Sequence, residues 1–136
     1  MFTLSLNGFA VLLSAAAQGM LGAVWYMGVI PKPYALALGR TDLVGRKPEP
    51  LFIAGPQVCM LVVTLGNAML LRALHIDAMP DALVFGALSG VGYIVATVFN
   101  VAINPNIPRP LLYGVINAPY FLVSNLVSCA ILTAMA

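Results

Sequence analysis

The chain has 136 residues, of which 62% are hydrophobic and 7% are charged, and its formal net charge is +2. Soluble domains carry about 25% charged residues, so this composition excludes a water-soluble globular domain and indicates a membrane protein. The basic residues between positions 31 and 50 stand beside Asp42 and Glu49. They form no sustained basic patch, so no nucleic-acid partner is expected.

The first apolar stretch contains LLSAAAQGMLGAVWY, residues 12–26, whose small residues are typical of the end of a signal peptide. No Lys or Arg precedes Lys32, so the basic start of a signal peptide is missing and the uncharged stretch is long enough to cross a bilayer. We therefore expect a transmembrane helix over about residues 4–30. Ala15, Gly19 and Ala23 repeat every four residues, with Gly22 beside them, which is typical of a helix-packing seam.

Three further charge-free stretches predict helices over about residues 51–71, 82–101 and 112–134. The first connection, PKPYALALGRTDLVGRKPEP, is rich in Pro and Gly, which predicts a loop with an interfacial turn around residues 34–38. The other two connections are short, and short links make consecutive helices antiparallel neighbours. The predicted fold is all-α: one transmembrane domain over residues 1–136, an antiparallel four-helix bundle.

Lys and Arg concentrate in the first and third connections, at Lys32, Arg40, Arg46, Lys47 and Arg109. The positive-inside rule then predicts that these two connections are cytoplasmic and that both termini lie outside. We expect a multi-pass protein of the cell (inner) membrane.

The third predicted helix contains GALSGVGY, in which Gly86 and Gly90 form a GxxxG pair. In an apolar helix this pair favours a close helix crossing. The crossing can lie within one chain or between chains, and the motif specifies no partner.

The fourth predicted helix carries a polar face, because its polar residues are spaced i, i+7, i+8 and i+11. Gln18 and Asn67 lie near mid-membrane in the first and second helices. The structural interpretation is hydrogen bonding between helices, and the functional one is a polar groove for a solute. Pro119 frees the Val115 carbonyl and predicts a kink beside this face. The residues of the face are Asn117, Ser124, Asn125 and Ser128.

The predicted spans contain no Asp, Glu, Lys, Arg or His, so they lack the titratable residues that most catalytic sites need. His75 is the only histidine and is predicted to be a polar interfacial residue, since a metal site needs more ligands. Cys59 and Cys129 differ in predicted depth by about 13 Å, so we expect two small packing residues rather than a disulfide. No cofactor and no metal site are expected, and the protein is not expected to be an enzyme.

Three segments of the chain resemble the DUF1761 family, small four-helix membrane proteins of unknown function. They are GAVWYMGVIPKPYALALG (22–39), GALSGVGY with the later Asn100, and INAPYFLVSNLVSCAIL (116–132). The resemblance implies a fold and a membrane location but no reaction. Its signature residues here are Trp25, Tyr26, Asn117 and Tyr120.

This sequence departs from the family pattern at residues 31–34, Pro-Lys-Pro-Tyr, where the family tends to have Phe-Gly and Trp, and at Pro119, where it usually has a small residue. The first connection and the surroundings of Pro119 can therefore differ from the family. Trp25 and Tyr26 carry function if the signature does, while the structural alternative is anchoring at the membrane interface.

The function that these observations favour is that of a small non-catalytic membrane protein which packs through Gly and Ala seams. It would be an accessory or structural subunit of a membrane complex, or a homo-oligomer, with membrane lipid and a protein partner or a second copy as its contacts. The alternative is a small solute carrier or pore that works as an oligomer and is lined by the polar face. A membrane enzyme with interfacial catalytic groups is the third possibility.

Overall fold

The computed structural model describes residues 5–136, which fold into helices and connections without a β-strand in that range. Four of the helices are long and apolar enough to cross a membrane, so the chain is an all-α multi-pass membrane protein. A fifth, short helix lies in the first connection. We number them α1 (Gly8–Val29), α2 (Pro31–Ala37), α3 (Pro50–Ala73), α4 (Met79–Ala102) and α5 (Pro110–Ala134).

The helix boundaries follow from caps and prolines. Asn7 caps α1, because its side-chain oxygen accepts the backbone N–H groups of Phe9 and Ala10. A proline stands in the first turn of α2, α3, α4 and α5, where its missing N–H costs nothing. This explains why α4 begins at Met79, three residues before the predicted start at 82. The predicted start of α1 at residue 4 lies outside the described residues.

The first connection differs from the prediction. Residues 31–37 form helix α2 rather than a loop, because Pro31 and Pro33 both fall in its first turn, where proline is tolerated. The helix ends before Gly39, whose φ of 66° is readily adopted only by glycine. Thr41–Leu43 adds one 3₁₀ turn, and residues 44–49 have no regular structure.

Helix α5 is the central helix. It packs against α1, α3 and α4 and against α2. Helices α1 and α3 also pack against each other, whereas α4 makes its main contact with α5 in the part of the chain that the structure describes. Consequently α4 is the span with the smallest buried share, 17% of its most apolar window, against 39% for α5.

The interior of the bundle has three layers. We call the end with the α3–α4 connection the hairpin end and the opposite end the α2 end. An apolar cluster fills the hairpin end, polar side chains fill the middle, and tyrosines lie towards the α2 end. The apolar cluster consists of Ala10, Val11, Ala68, Leu71, Ala82, Cys129 and Leu132.

Two of the spanning helices contain a π-helical segment, Val24–Val29 in α1 and Gly90–Val95 in α4. Such segments insert one extra residue per turn and are frequent at functional sites. The first carries Trp25 and Tyr26, and the second carries Tyr93.

Candidate functional site

The middle of the bundle is built on an antiparallel pairing of α1 with α5. The Ser14 hydroxyl donates to the Ser128 carbonyl at 3.3 Å, and one turn further the Tyr120 hydroxyl donates to the Gln18 carbonyl at 3.3 Å. This register places Ser124 opposite Gln18. We call Ser14, Gln18, Ser124 and Ser128 the polar seam; each has a relative exposure of 1% or less.

Gln18 connects the polar seam to α3. Its Nε2 donates to Thr64 Oγ1 at 2.6 Å and to the Ser14 carbonyl at 3.2 Å. The Thr64 hydroxyl donates to the Met60 carbonyl at 2.8 Å, so Thr64 Oγ1 is the acceptor in the hydrogen bond from Gln18. This arrangement fixes which end of the Gln18 amide faces α3, and it turns Oε1 away from both partners.

Asn125 joins three helices. Its Oδ1 accepts from Asn67 Nδ2 of α3 at 2.8 Å, and its Nδ2 donates to the Gly86 carbonyl at 2.7 Å and to Ser89 Oγ at 2.9 Å in α4. Asn67 and Asn125 are both buried. Because lipid offers no hydrogen bonds, these contacts hold both α3 and α4 to α5.

Three buried atoms of the polar seam have no hydrogen-bond partner among the described residues: Gln18 Oε1, Ser124 Oγ and Ser128 Oγ. A buried polar group without a partner costs about 1 to 3 kcal/mol, so unpaired groups call for an explanation. Neither the Ser124 nor the Ser128 hydroxyl donates to the carbonyl four residues earlier in α5, although serine in an α-helix commonly does so.

The family-signature residues meet where α1 crosses α5. Trp25 Nε1 donates to the Ile116 carbonyl at 2.9 Å, and the Tyr26 hydroxyl donates to Asn117 Oδ1. Asn117 Nδ2 in turn donates to the Tyr113 carbonyl at 2.6 Å. Tyr120, the fourth signature residue, contacts the Tyr26 ring edge-on, with ring centroids 5.2 Å apart. The signature thus forms one interhelical cluster beside Pro119.

Helix α2 adds a further tyrosine to this cluster. The Tyr34 ring lies 5.3 Å from that of Tyr26 and 5.7 Å from that of Tyr113, measured between centroids. Burial, and next the neighbouring Tyr113, raise the pKa of Tyr34 above its usual value. Tyr34 therefore stays a neutral phenol at physiological pH and packs against both rings.

Most of the predicted small residues lie at helix contacts within the chain. A Cβ on Gly86 would lie 3.2 Å from Cys129 Sγ, and one on Gly90 would lie 3.0 Å from Leu122 Cδ1, so this pair faces α5. Gly22 faces the Tyr120 hydroxyl and Gly19 faces the Gln57 side chain.

The remaining two small residues of α1 differ from each other. Ala15 is buried, and its carbonyl accepts from Gln57 Nε2 at 2.6 Å. Ala23 is exposed, so the predicted seam does not extend to it within one chain. The π-helical segment begins directly after Ala23 and changes the direction in which the following residues point.

The prediction that both cysteines are packing residues is wrong for Cys59. Cys129 is buried against Gly86, whereas Cys59 lies exposed on α3, and both thiols are free. His75 is exposed in the hairpin connection, with a φ of 57°. Across residues 5–136, no three His, Cys, Asp or Glu side chains are grouped so that they could hold a metal ion.

A cleft of about 240 Å³ opens at the hairpin end. Arg72 borders it, and Arg72 Nη2 donates to the Ser5 carbonyl at 3.3 Å. Apolar side chains such as Leu71 and Leu132 form much of its wall, and no residue of the polar seam lines it. This cleft is therefore not lined by the residues that carry the unpaired atoms of the polar seam.

Sequence reasoning missed the partners of the polar residues it found. Ser14 stands four residues before Gln18, and Gln57, Thr64 and Asn67 are spaced i, i+7 and i+10 on α3, so helical spacing was a signal for these residues. Each uncharged polar residue inside a membrane helix also needs a partner, but neither signal says which helix supplies it.

One comparison with known proteins finds a match. The family DUF1761, described as a protein of unknown function, matches residues 9–133. No curated protein and no solved structure matches the chain. Since the match covers nearly the whole chain, including all four spanning helices, the protein belongs to the DUF1761 family.

Proposed function

We propose that the protein is a non-catalytic component of a cell (inner) membrane which acts by associating with other membrane proteins through its outward-facing helix surfaces. The observation that carries this proposal is that the buried amide side chains are engaged in hydrogen bonds within the chain. Gln18, Asn67, Asn117 and Asn125 all hydrogen-bond within the chain, and the four pairings join all four spanning helices. The interior thus supports folding.

The buried interior also supports a non-catalytic role. The buried polar residues of the described chain are serine, threonine, glutamine and asparagine, with no ionisable group other than Tyr120 and Cys129. Acid–base catalysis and proton coupling generally need a titratable residue in the bundle.

The outward surface is where an association can occur. Within residues 5–136, helix α4 packs mainly on the flank that faces α5, and large apolar side chains such as Val84, Leu88 and Val91 are exposed on it. Lipid can cover these side chains, so exposure by itself identifies no partner. It shows that a partner helix can reach α4 without disturbing the interior.

Native mass spectrometry of the protein released gently from its own membrane tests this proposal. We expect the chain to appear in a complex of fixed stoichiometry, with another membrane protein or with further copies of itself. A protein that is only monomeric, even at high concentration in native lipid, would contradict the proposal.

The second candidate is a small solute carrier, and one observation favours it. Three buried atoms near mid-membrane have no hydrogen-bond partner in the described part of the chain: Gln18 Oε1, Ser124 Oγ and Ser128 Oγ. A polar solute could supply the missing hydrogen bonds. If this candidate is correct, Ser124→Ala together with Ser128→Ala should abolish solute uptake into proteoliposomes while the protein still folds. Ser5→Ala, outside the bundle, is the control. Unchanged uptake in the double variant would remove the solute site.

A further inference from the structure

One face of α4 is polar although it points away from the bundle. It comprises Gly92, Tyr93, Ala96, Thr97 and Asn100, all exposed, and we call it the Tyr93 face. Tyr93 has a relative exposure of 76%, the highest among the large hydrophobic and aromatic side chains. The other tyrosines of the spanning helices are buried or half-buried, so Tyr93 is unusual in its position.

Tyr93 lies at hydrocarbon depth. It precedes the end of α4 at Ala102 by about 13 Å of helix rise. A helix of 24 residues is about 36 Å long and extends past a core about 30 Å thick by about 3 Å at each end. The Cα of Tyr93 is therefore about 10 Å inside the core. Helical side chains lean towards the N-terminus, which for Tyr93 is the direction of the bilayer centre.

The polar groups of this face lack partners within the chain. Thr97 is the exception, because its hydroxyl donates to the Tyr93 carbonyl. The Tyr93 hydroxyl and the Asn100 amide make no side-chain hydrogen bond to any of residues 5–136. Asn100 lies at the edge of the core, about 3 Å of rise from the end of α4, where water is within reach. At the depth of Tyr93 acyl chains cannot supply a hydrogen bond, so a protein surface with a polar group at that depth would be favoured there over lipid.

A second copy of the chain supplies such groups by symmetry. Copies inserted in the same orientation and related by a two-fold axis normal to the membrane place Tyr93 opposite Tyr93 and Asn100 opposite Asn100, at equal depths. A phenol and a carboxamide each contain both a donor and an acceptor, so each can pair with its own kind. A polar residue that meets its own copy across such an axis fixes the register of the helix pair.

Gly92 and Ala96 are small, so the α4 helices of two copies can approach each other closely on this face. A Cβ on Gly92 would meet no atom within 4 Å, so the space above Gly92 is open in the single chain. Gly90, two residues earlier, is in close contact with α5. The π-helical segment Gly90–Val95 lies between these two surfaces and contributes residues to each.

We propose that two copies of the chain associate in parallel through the Tyr93 face of α4. This inference rests on the proposed function and names its partner as a second copy. It assigns the polar interior to folding and the Tyr93 face to assembly.

Disulfide trapping in native membranes tests the proposal, with Ala96→Cys introduced into a chain that carries Cys59→Ser. Oxidation should yield a covalent dimer, because paired Ala96 positions would lie within the roughly 7 Å that a disulfide allows between Cα atoms. Val58→Cys is the matched control: it is exposed at a similar distance from the α2 end, but on α3. A dimer yield at Val58 equal to that at Ala96 would overturn the proposal, as would no dimer at Ala96.

Two further substitutions locate the contact. Gly92→Leu should lower trapping at Ala96 at least tenfold, and Tyr93→Phe should lower it about threefold, the factor that corresponds to an average membrane hydrogen bond. Gly66→Leu is the control on α3, since a Cβ there also meets nothing within 4 Å. Undiminished trapping in Gly92→Leu would refute the interface. Circular dichroism spectra identical to the parent would show that Gly92→Leu still folds.

Native mass spectrometry separates the two proposals. A dimer of this chain alone supports both. A complex with another membrane protein but only one copy of this chain would leave the proposed function standing and overturn the Tyr93 interface. A monomer alone would overturn both.

Discussion

Replacement of Gly90 by leucine is expected to lower the free energy of unfolding by about 3 kcal/mol, the upper end of the usual cost of overpacking. A Cβ at Gly90 would already lie 3.0 Å from Leu122 Cδ1 and 3.4 Å from Asn125 Nδ2, and leucine adds three more carbons in that direction. Helix α4 would have to move away from α5, its main contact. The measurement is unfolding in mixed micelles with increasing SDS, followed by circular dichroism.

Gly66→Leu is the control for this change. Gly66 also lies inside a spanning helix, but no atom lies within 4 Å of its would-be Cβ. We expect this variant to be as stable as the parent or slightly more stable, because glycine is a poor helix former. Equal stability of the two leucine variants would show that α4 does not pack on α5 through Gly90.

Asn125→Leu is expected to lower the free energy of unfolding by about 2 kcal/mol. The substitution keeps the side-chain volume roughly constant but removes the bonds to Asn67, to the Gly86 carbonyl and to Ser89, and it leaves the Asn67 amide buried without a partner. An interhelical hydrogen bond in a membrane contributes about 0.6 kcal/mol on average, and an unsatisfied buried group costs about 1 to 3 kcal/mol. The same SDS titration measures this loss.

The double variant Asn67→Leu with Asn125→Leu is the control. With both partners apolar, no amide of this pair remains unsatisfied, so the double variant should be more stable than Asn125→Leu alone. If the two losses simply add, the Asn67–Asn125 hydrogen bond does not form.

The spanning helices could be located from the sequence because hydrophobic length alone determines them. A stretch of about 20 apolar residues must be helical in lipid, and the short connections make neighbours antiparallel. The sequence does not predict helix α2 because proline kinks or breaks a helix everywhere except in its first turn, and Pro31 and Pro33 both stand in the first turn of α2. The two π-helical segments leave no mark in the pattern of apolar residues.

The candidate site was only partly predictable for a related reason. The spacing of Asn117, Ser124, Asn125 and Ser128 places them on one face of α5, and the structure buries all four. Which helix each of them meets depends on the rotation of α1, α3 and α4 about their axes. The few polar residues of those helices mark a preferred side, but they do not say which neighbouring helix that side meets.

Cys59 and Ala23 illustrate the same limit. A small residue in an apolar helix can face a neighbour or face lipid, and both of these face outward. The family resemblance contributed what spacing could not. It grouped Trp25, Tyr26, Asn117 and Tyr120, which the structure brings into one cluster across α1 and α5.

The central position of α5 has a consequence for biosynthesis. Helices α1, α3 and α4 are synthesised before α5. Helix α5 nevertheless supplies the hydrogen-bond acceptors for Ser14, Trp25 and Tyr26 of α1. Through Asn125 it also supplies the acceptor for Asn67 of α3. Until α5 is inserted, these donors have no native partner, and the Gly86–Gly90 surface of α4 is bare. The native hydrogen bonding of the bundle is therefore completed only when its last helix, α5, has entered the bilayer.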